Sequence, residues 1–142
     1  MILLDTNVVS AAVVNDNNAS VSSWMNGQDE GLLFICAPVL AELRYGAQLL
    51  PDGRRKARIS AIYDEVEQRL FAGRILPFDA AAAHQYAIAR ASRQRVGRPM
   101  QPMDTLIAAI ALANSMTLAT RNTKDFEDLG LTLINPFEAP AP

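Results

Sequence analysis

The stretch MILLDTNVVS, residues 1–10, decides how the chain is read. Four apolar residues, Met1 to Leu4, run directly into Asp5, Thr6 and Asn7. A short continuous apolar run of this kind reads as a buried strand. Aspartate, threonine and asparagine favour the position that opens a helix, because their side-chain oxygens accept from its unpaired amides. Val8 and Val9 then resume the apolar pattern. The stretch therefore reads as strand, turn and helix, and it leaves a carboxylate at the carboxyl end of the first strand.

The same grammar recurs along the chain. After a polar break at Asn15–Asn18, Ala19–Asn26 reads as a helix stopped by Gly27. Leu32–Cys36 reads as a second buried strand, and Pro38 suits the first turn of a helix carrying Val39, Leu40, Leu43 and Ala47. Beyond a turn at Leu50–Gly53, the spacing of Ile59, Ile62, Val66 and Leu70 predicts one amphipathic helix over Arg54–Phe71. Arg74–Phe78 is a third strand, and Asp79 caps an alanine-rich helix reaching about Val96. Pro102 opens a helix through Asn114 that is apolar on nearly all sides. Met116–Thr120 is a fourth strand, Asp125–Leu129 a short helical turn, and Leu131–Ile134 a fifth strand. Continuous rather than alternating apolar strands imply a parallel sheet covered on both faces. The expected fold is α/β, a three-layer α/β/α sandwich around a central, mainly parallel five-stranded sheet. It spans residues 1–136, with the Pro- and Ala-rich residues 137–142 as a loose tail.

Composition narrows the class. A chain of 142 residues, 50% apolar and 20% charged, suits one folded domain and not a disordered segment. A single cysteine, Cys36, excludes an intramolecular disulfide and a thiolate zinc site. Its apolar neighbours Leu33, Phe34 and Ile35 make it a core residue. The longest wholly apolar stretch, Leu106–Ala113, is far short of the roughly 18 residues that cross a bilayer. The opening apolar run is broken by Asp5 and has no basic stretch before it, unlike a secretory signal. A cytoplasmic protein without membrane attachment is expected. The net charge of −2 argues against a generic nucleic-acid binder. Yet eight of the 13 basic residues fall in two patches, Arg54, Arg55, Lys56 and Arg58, and Arg90, Arg93, Arg95 and Arg98. These read either as solvated helix faces or as contacts for a phosphate backbone or an acidic partner.

In open parallel sheets, ligands sit beyond the carboxyl ends of the strands. That rule singles out Asp5 after the first strand, Glu42 one turn into the helix after the second, Asp104 in the first turn after Pro102, and Asp125 shortly after the fourth strand. Each has an ordinary explanation. Asp5 caps a helix, Asp104 favours a helix N-terminus, and Asp125 sits among the surface charges Glu127 and Asp128. Glu42 is flanked by apolar residues, so it is expected to be partly buried and to need a partner. Converging carboxylates raise one another's pKa, and a divalent cation resolves the repulsion. Oxygen-only ligands suit Mg2+ or Mn2+ and not zinc. The only histidine, His84, lies mid-helix among alanines, so a histidine-based nucleophile mechanism has no support. The seven glycines are scattered, with no phosphate-cradling motif.

Five segments in order carry a family resemblance: ILLDTNVVS at 2–10, APVLAELRYGA at 37–47, LFAGRILPFD at 70–79, MDTLIAAIALA at 103–113, and LATRNTKDF with INPF at 118–137. The chain resembles the PIN-domain nucleases, and among them the VapC-type and FitB-like toxins of type II toxin–antitoxin pairs. The resemblance implies that Asp5, Glu42 and Asp104 are core metal-binding acids. Some relatives carry an acid where this chain has Asn122; others carry Asn there followed by an acid at the position of Asp125. This chain follows the second pattern. Thr6 and Thr120 then orient carboxylates, Asn122 supports the site through a hydrogen bond, and Asn7 does the same or merely caps the helix. Asp79 matches a frequent family acid, though helix capping explains it.

The implied activity is Mg2+-dependent endoribonuclease hydrolysis of RNA, with Mn2+ able to substitute. The implied partners are a small cognate antitoxin, operator DNA reached only through that antitoxin, and a second copy of the chain. The groove beside the Arg54–Leu70 helix is the expected docking surface. Two alternatives keep the fold: a binding or regulatory module with a structural or empty metal site, and an RNA-maturation or structure-specific DNA nuclease outside a toxin–antitoxin system.

Overall fold

The computed structural model describes residues 1–14 and 18–138. Five strands form one sheet: β1 Ile2–Leu4, β2 Leu33–Cys36, β3 Ile75–Leu76, β4 Thr117–Ala119 and β5 Leu133–Ile134. Their order is β3-β2-β1-β4-β5, and every pairing is parallel. Six helices connect them: α1 Thr6–Val13, α2 Ala19–Asn26, α3 Ala37–Gln48, α4 Arg54–Glu65, α5 Ala80–Arg95 and α6 Pro102–Ala113. The parallel α/β sandwich expected from continuous apolar strands is therefore present.

Burial follows from that arrangement. Leu3, Leu4, Ile35 and Leu118 are fully buried, because a central parallel strand has helices over both faces. In α6, Ile107 to Ala111 are all buried. That helix packs against both α5 and β4, which explains its apolar circumference. Cys36 is buried as expected, and burial pushes its thiol up to about 12.

Three boundaries differ from the expectation. The helix expected over Arg54–Phe71 is α-helical only to Glu65 and continues as a π-turn over Val66–Leu70. The Phe71 amide donates to the Val66 carbonyl at 2.9 Å, five residues back, and Phe71 is thereby buried. Arg74 supports this turn by donating to the Leu70 and Glu30 carbonyls, and to that of Leu33 at 2.6 Å. Strand β3 is shorter than Arg74–Phe78, because Pro77 has no amide to extend the ladder. The short helical turn after β4 lies at Thr123–Phe126, not Asp125–Leu129. Phe126 anchors it in the core, while Asp128 and Gly130 take positive φ values of 64° and 76° and redirect the chain.

The polar break at Asn15–Asn18 lies mostly outside the described residues, but Asn18 caps α2 by accepting from the Val21 amide at 3.2 Å. Of the expected tail, Phe137 packs against the core under the Arg121 guanidinium, 4.2 Å from the ring centroid, and residues 139–142 lie outside the described residues.

Candidate active site

Strands β1 and β4 are neighbours, and the chain leaves β1 toward β2 but leaves β4 toward β5, in opposite directions across the sheet. A crevice opens at such a switch point beyond the strands' carboxyl ends. Asp5 follows β1 and Thr120 follows β4, one residue past the Leu4–Ala119 register pair. The Asp5 amide donates to the Ala119 carbonyl at 2.9 Å, which continues the ladder into the crevice.

From Asp5 the site builds outward. Asp5 is 5% exposed. One carboxylate oxygen, Oδ1, accepts from the Thr6 amide at 2.8 Å as the cap of α1. The other, Oδ2, accepts from the Thr120 hydroxyl at 2.7 Å. Thr120 is fully buried, and its hydroxyl accepts in turn from the Asn122 amide at 3.1 Å. The Thr6 hydroxyl donates to Glu42 Oε1 at 2.6 Å, linking the first acid to the second through one residue. Both threonines thus touch the carboxylates they were expected to orient. Asn122 contributes its backbone amide, and its side chain is exposed.

Asp104 and Asp125 both line a cleft of about 160 Å3 that Arg93, Pro99, Met100 and Gln101 also line. Burial pushes the Asp104 carboxyl up to about 6, and the charges of Asp5, Asp125 and Glu42 push in the same direction. The Asp5 carboxyl is also raised, by burial first; the Thr120 and Thr6 hydrogen bonds oppose this, and the charges of Glu42 and Asp125 add to it. The fold therefore gathers all four acids picked from sequence into one electrostatic neighbourhood. His84 is exposed and stands outside it. Asp79 accepts from the Ala82 amide at 3.0 Å as the cap of α5, so capping accounts for it.

Among the described residues, no three acidic, histidine or cysteine side chains are close enough to grip a single ion directly. The donor set instead suits a hydrated hard cation, since Mg2+ binds through one or two carboxylates and keeps several waters. Asn7 points the same way. Its Oδ1 is buried and has no hydrogen-bond partner among the described residues, an orphaned acceptor two residues after Asp5. The candidate donors are carboxylate and amide oxygens, the set that suits Mg2+ or Mn2+ and not zinc.

The basic residues around the site have definite partners. Arg44, two residues after Glu42, pairs with Asp64 at 2.8 Å and Glu67 at 2.7 Å, tying α3 to the end of α4. The patch Arg90–Arg98 is not a uniform solvated face. Arg98 is engaged by Asp128 at 2.9 Å and Glu127 at 3.3 Å. Arg90 lies over the Tyr86 ring at 5.7 Å. Arg93 is only 5% exposed and donates through Nε to the Arg98 carbonyl at 2.9 Å, and through Nη1 to the carbonyls of Asp125 at 2.9 Å and Glu127 at 3.1 Å. It clamps the loop that carries Asp125. The sequence held a signal for this: Ala82, Ala89 and Arg93 are spaced seven and four apart, along the buried face of α5.

Comparison with known proteins agrees with this architecture. The toxin FitB of Neisseria gonorrhoeae is 38% identical over 96% of this chain and 99% of its own length. VapC ribonuclease Y4jK of Sinorhizobium fredii is 37% identical over 97% and 99%. A solved structure of FitAB bound to an IR36 DNA fragment superposes with a TM-score of 0.91 at 36% identity, covering 99% of this chain and 98% of that one. The PIN domain family matches residues 2–130, and with these strands, this order and these relatives the chain belongs to the PIN domain family.

Proposed function

We propose that this chain is a divalent-metal-dependent endoribonuclease that acts as the toxin of a toxin–antitoxin pair. The observation that carries the reading is Asp104, whose carboxyl feels the charges of Asp5, Glu42 and Asp125 together. Relatives named as a VapC ribonuclease and a FitB toxin, alike over nearly the whole chain, supply the activity class.

Asp5, Glu42, Asp104 and Asp125 hold Mg2+, or Mn2+ in its place, in a nuclease domain over residues 1–136 that precedes a short tail, 137–142. A bound divalent ion acidifies water and offsets charge on the scissile phosphate and leaving oxygen. The protein's part is to fix oxygens. The Thr120 hydroxyl and Thr6 amide hold the two oxygens of Asp5, and the Thr6 hydroxyl holds Glu42. The Asn122 amide holds Thr120, and Asn7 presents a further acceptor. Such supporting contacts set the direction of each carboxylate. No side chain serves as a covalent nucleophile.

The FitAB–DNA neighbour supports a small antitoxin as partner, with operator DNA reached through it. The antitoxin covers the groove along α4, and the toxin pairs with a second copy of itself. Its RNA substrate places it in the cytoplasm, and among the described residues no helix is long and apolar enough to cross a membrane. A pure binding module is disfavoured, because it has no use for four converging carboxylates at raised electrostatic cost.

The test is digestion of total cellular RNA by purified protein with Mg2+, with Mn2+ and with chelator, beside Asp5→Asn prepared identically. Discrete metal-dependent cuts absent from the variant are expected. Equal cutting by both proteins, or none with either metal, overturns the reading.

A further inference from the structure

We infer that Arg93 receives a phosphate oxygen of the RNA in the cleft it shares with Asp104 and Asp125. This rests on the ribonuclease reading and deepens it. A guanidinium has five N–H donors and stays charged. In Arg93 the Nε hydrogen goes to the Arg98 carbonyl, and the two on Nη1 go to the carbonyls of Asp125 and Glu127. Both hydrogens on Nη2 are without an acceptor among the described residues. Arg93 as a residue is 5% exposed, yet it forms no ion pair among those residues, where Arg44 and Arg98 each have two. A buried charge held only by neutral carbonyls is incompletely compensated.

The opening available to it is the cleft lined by Asp104 and Asp125. Those two carboxylates suit a cation and repel RNA, so a substrate phosphate arriving there needs a positive group on the same wall. Arg93 supplies one that is pre-ordered by three backbone carbonyls. A guanidinium so fixed loses little freedom on taking up a phosphate. Arg98 and Arg90 do not compete for the role, since Arg98 is engaged by Glu127 and Asp128 and Arg90 lies over Tyr86.

The experiment measures binding of a labelled, mixed-sequence single-stranded RNA to the Asp5→Asn protein in chelator, over a series of salt concentrations. Arg93→Gln is compared with Arg98→Gln, which loosens the same loop without touching the cleft. Hydrogen exchange over residues 122–128 reports the loop in each. Losing one phosphate contact makes the salt slope shallower by about 0.7. Arg93→Gln is expected to show that change, with binding roughly tenfold weaker; Arg98→Gln is expected to keep the full slope. An unchanged slope in Arg93→Gln overturns the inference and leaves the nuclease reading standing. An equal loss in Arg98→Gln also overturns it, because loop order alone then explains the effect. Salt-independent binding by the Asp5→Asn protein itself sinks the nuclease reading, and this inference with it. Should Arg93→Gln not fold, the native side chain answers: its guanidinium NMR signals shift when RNA is added, and unshifted signals refute the contact.

Discussion

The Thr120 hydroxyl donates to Asp5 Oδ2 at 2.7 Å, joining residues 115 apart in the chain across the ends of two neighbouring strands. Thr120 is fully buried and its hydroxyl has one carboxylate to serve. Thr120→Val keeps the shape and removes the hydroxyl, leaving Asp5 with a less defined direction. Loss of such a supporting contact costs roughly 10- to 100-fold in activity or metal affinity. Thr120→Ser restores the donor and is expected to stay within a few-fold of wild type. Cleavage rates of the two variants, against far-UV circular dichroism as a folding control, check this.

Asp5→Asn tests the acid itself. Burial and the charges of Glu42 and Asp125 raise the Asp5 carboxyl, so its ionised form is disfavoured in the folded chain. A neutral isostere is therefore expected to abolish cleavage while leaving the thermal midpoint in chelator unchanged or higher. A lower midpoint would assign Asp5 chiefly to holding the fold.

The pH dependence has a definite sign. The folded Asp104 carboxyl is pushed up to about 6 from 3.8, by burial first and then by its acidic neighbours. The folded chain binds this proton more tightly than the unfolded chain. Its contribution in chelator is greatest near pH 4 and is lost as pH rises through about 6. Urea midpoints of wild type relative to Asp104→Asn should decline between about pH 4 and about pH 6 and then level off. Mg2+ should recover stability at the upper end, where the carboxylate is ionised and free to bind it.

Arg44 separates neighbours in sequence from neighbours in space. Its partners are Asp64 and Glu67, both partly exposed. Arg44→Gln is expected to cost no more than about 1 kcal/mol in denaturant unfolding and to leave cleavage unchanged. A large loss of activity would instead assign Arg44 to the acidic site.

Cys36 offers a simple check on burial. Its thiol is pushed up to about 12 by its apolar surroundings. At mildly alkaline pH it should resist a thiol reagent in the native protein and react fully in denaturant. Rapid native labelling would contradict the packing of β2.

Much of this was legible in residues 1–10, because an apolar run ending in an acid fixes both a buried strand and the position of a ligand at its end. Glu42 was readable as partly buried from its apolar flanks, and it is half-buried beneath the Thr6 hydroxyl. The π-turn at Val66–Leu70 was not legible, since Val66 and Leu70 fit ordinary helical spacing and only the seat of Phe71 in the core demands the extra residue. Arg93 was only partly legible: its spacing from Ala82 and Ala89 marks the buried face of α5, but nothing local shows that it meets carbonyls of Arg98, Asp125 and Glu127 on two separate segments. The turn carrying Asp125 was misplaced for a related reason: Phe126, a tertiary anchor, sets it, and not the acids around it.

The most direct measurement is titration of purified protein with Mn2+, following the free ion by electron paramagnetic resonance at about pH 7.5, where Asp104 is ionised. Saturable binding that disappears in both Asp5→Asn and Asp104→Asn is the predicted result. Binding that is absent from the wild type, or equal in all three proteins, would contradict a divalent-metal centre built from these acids.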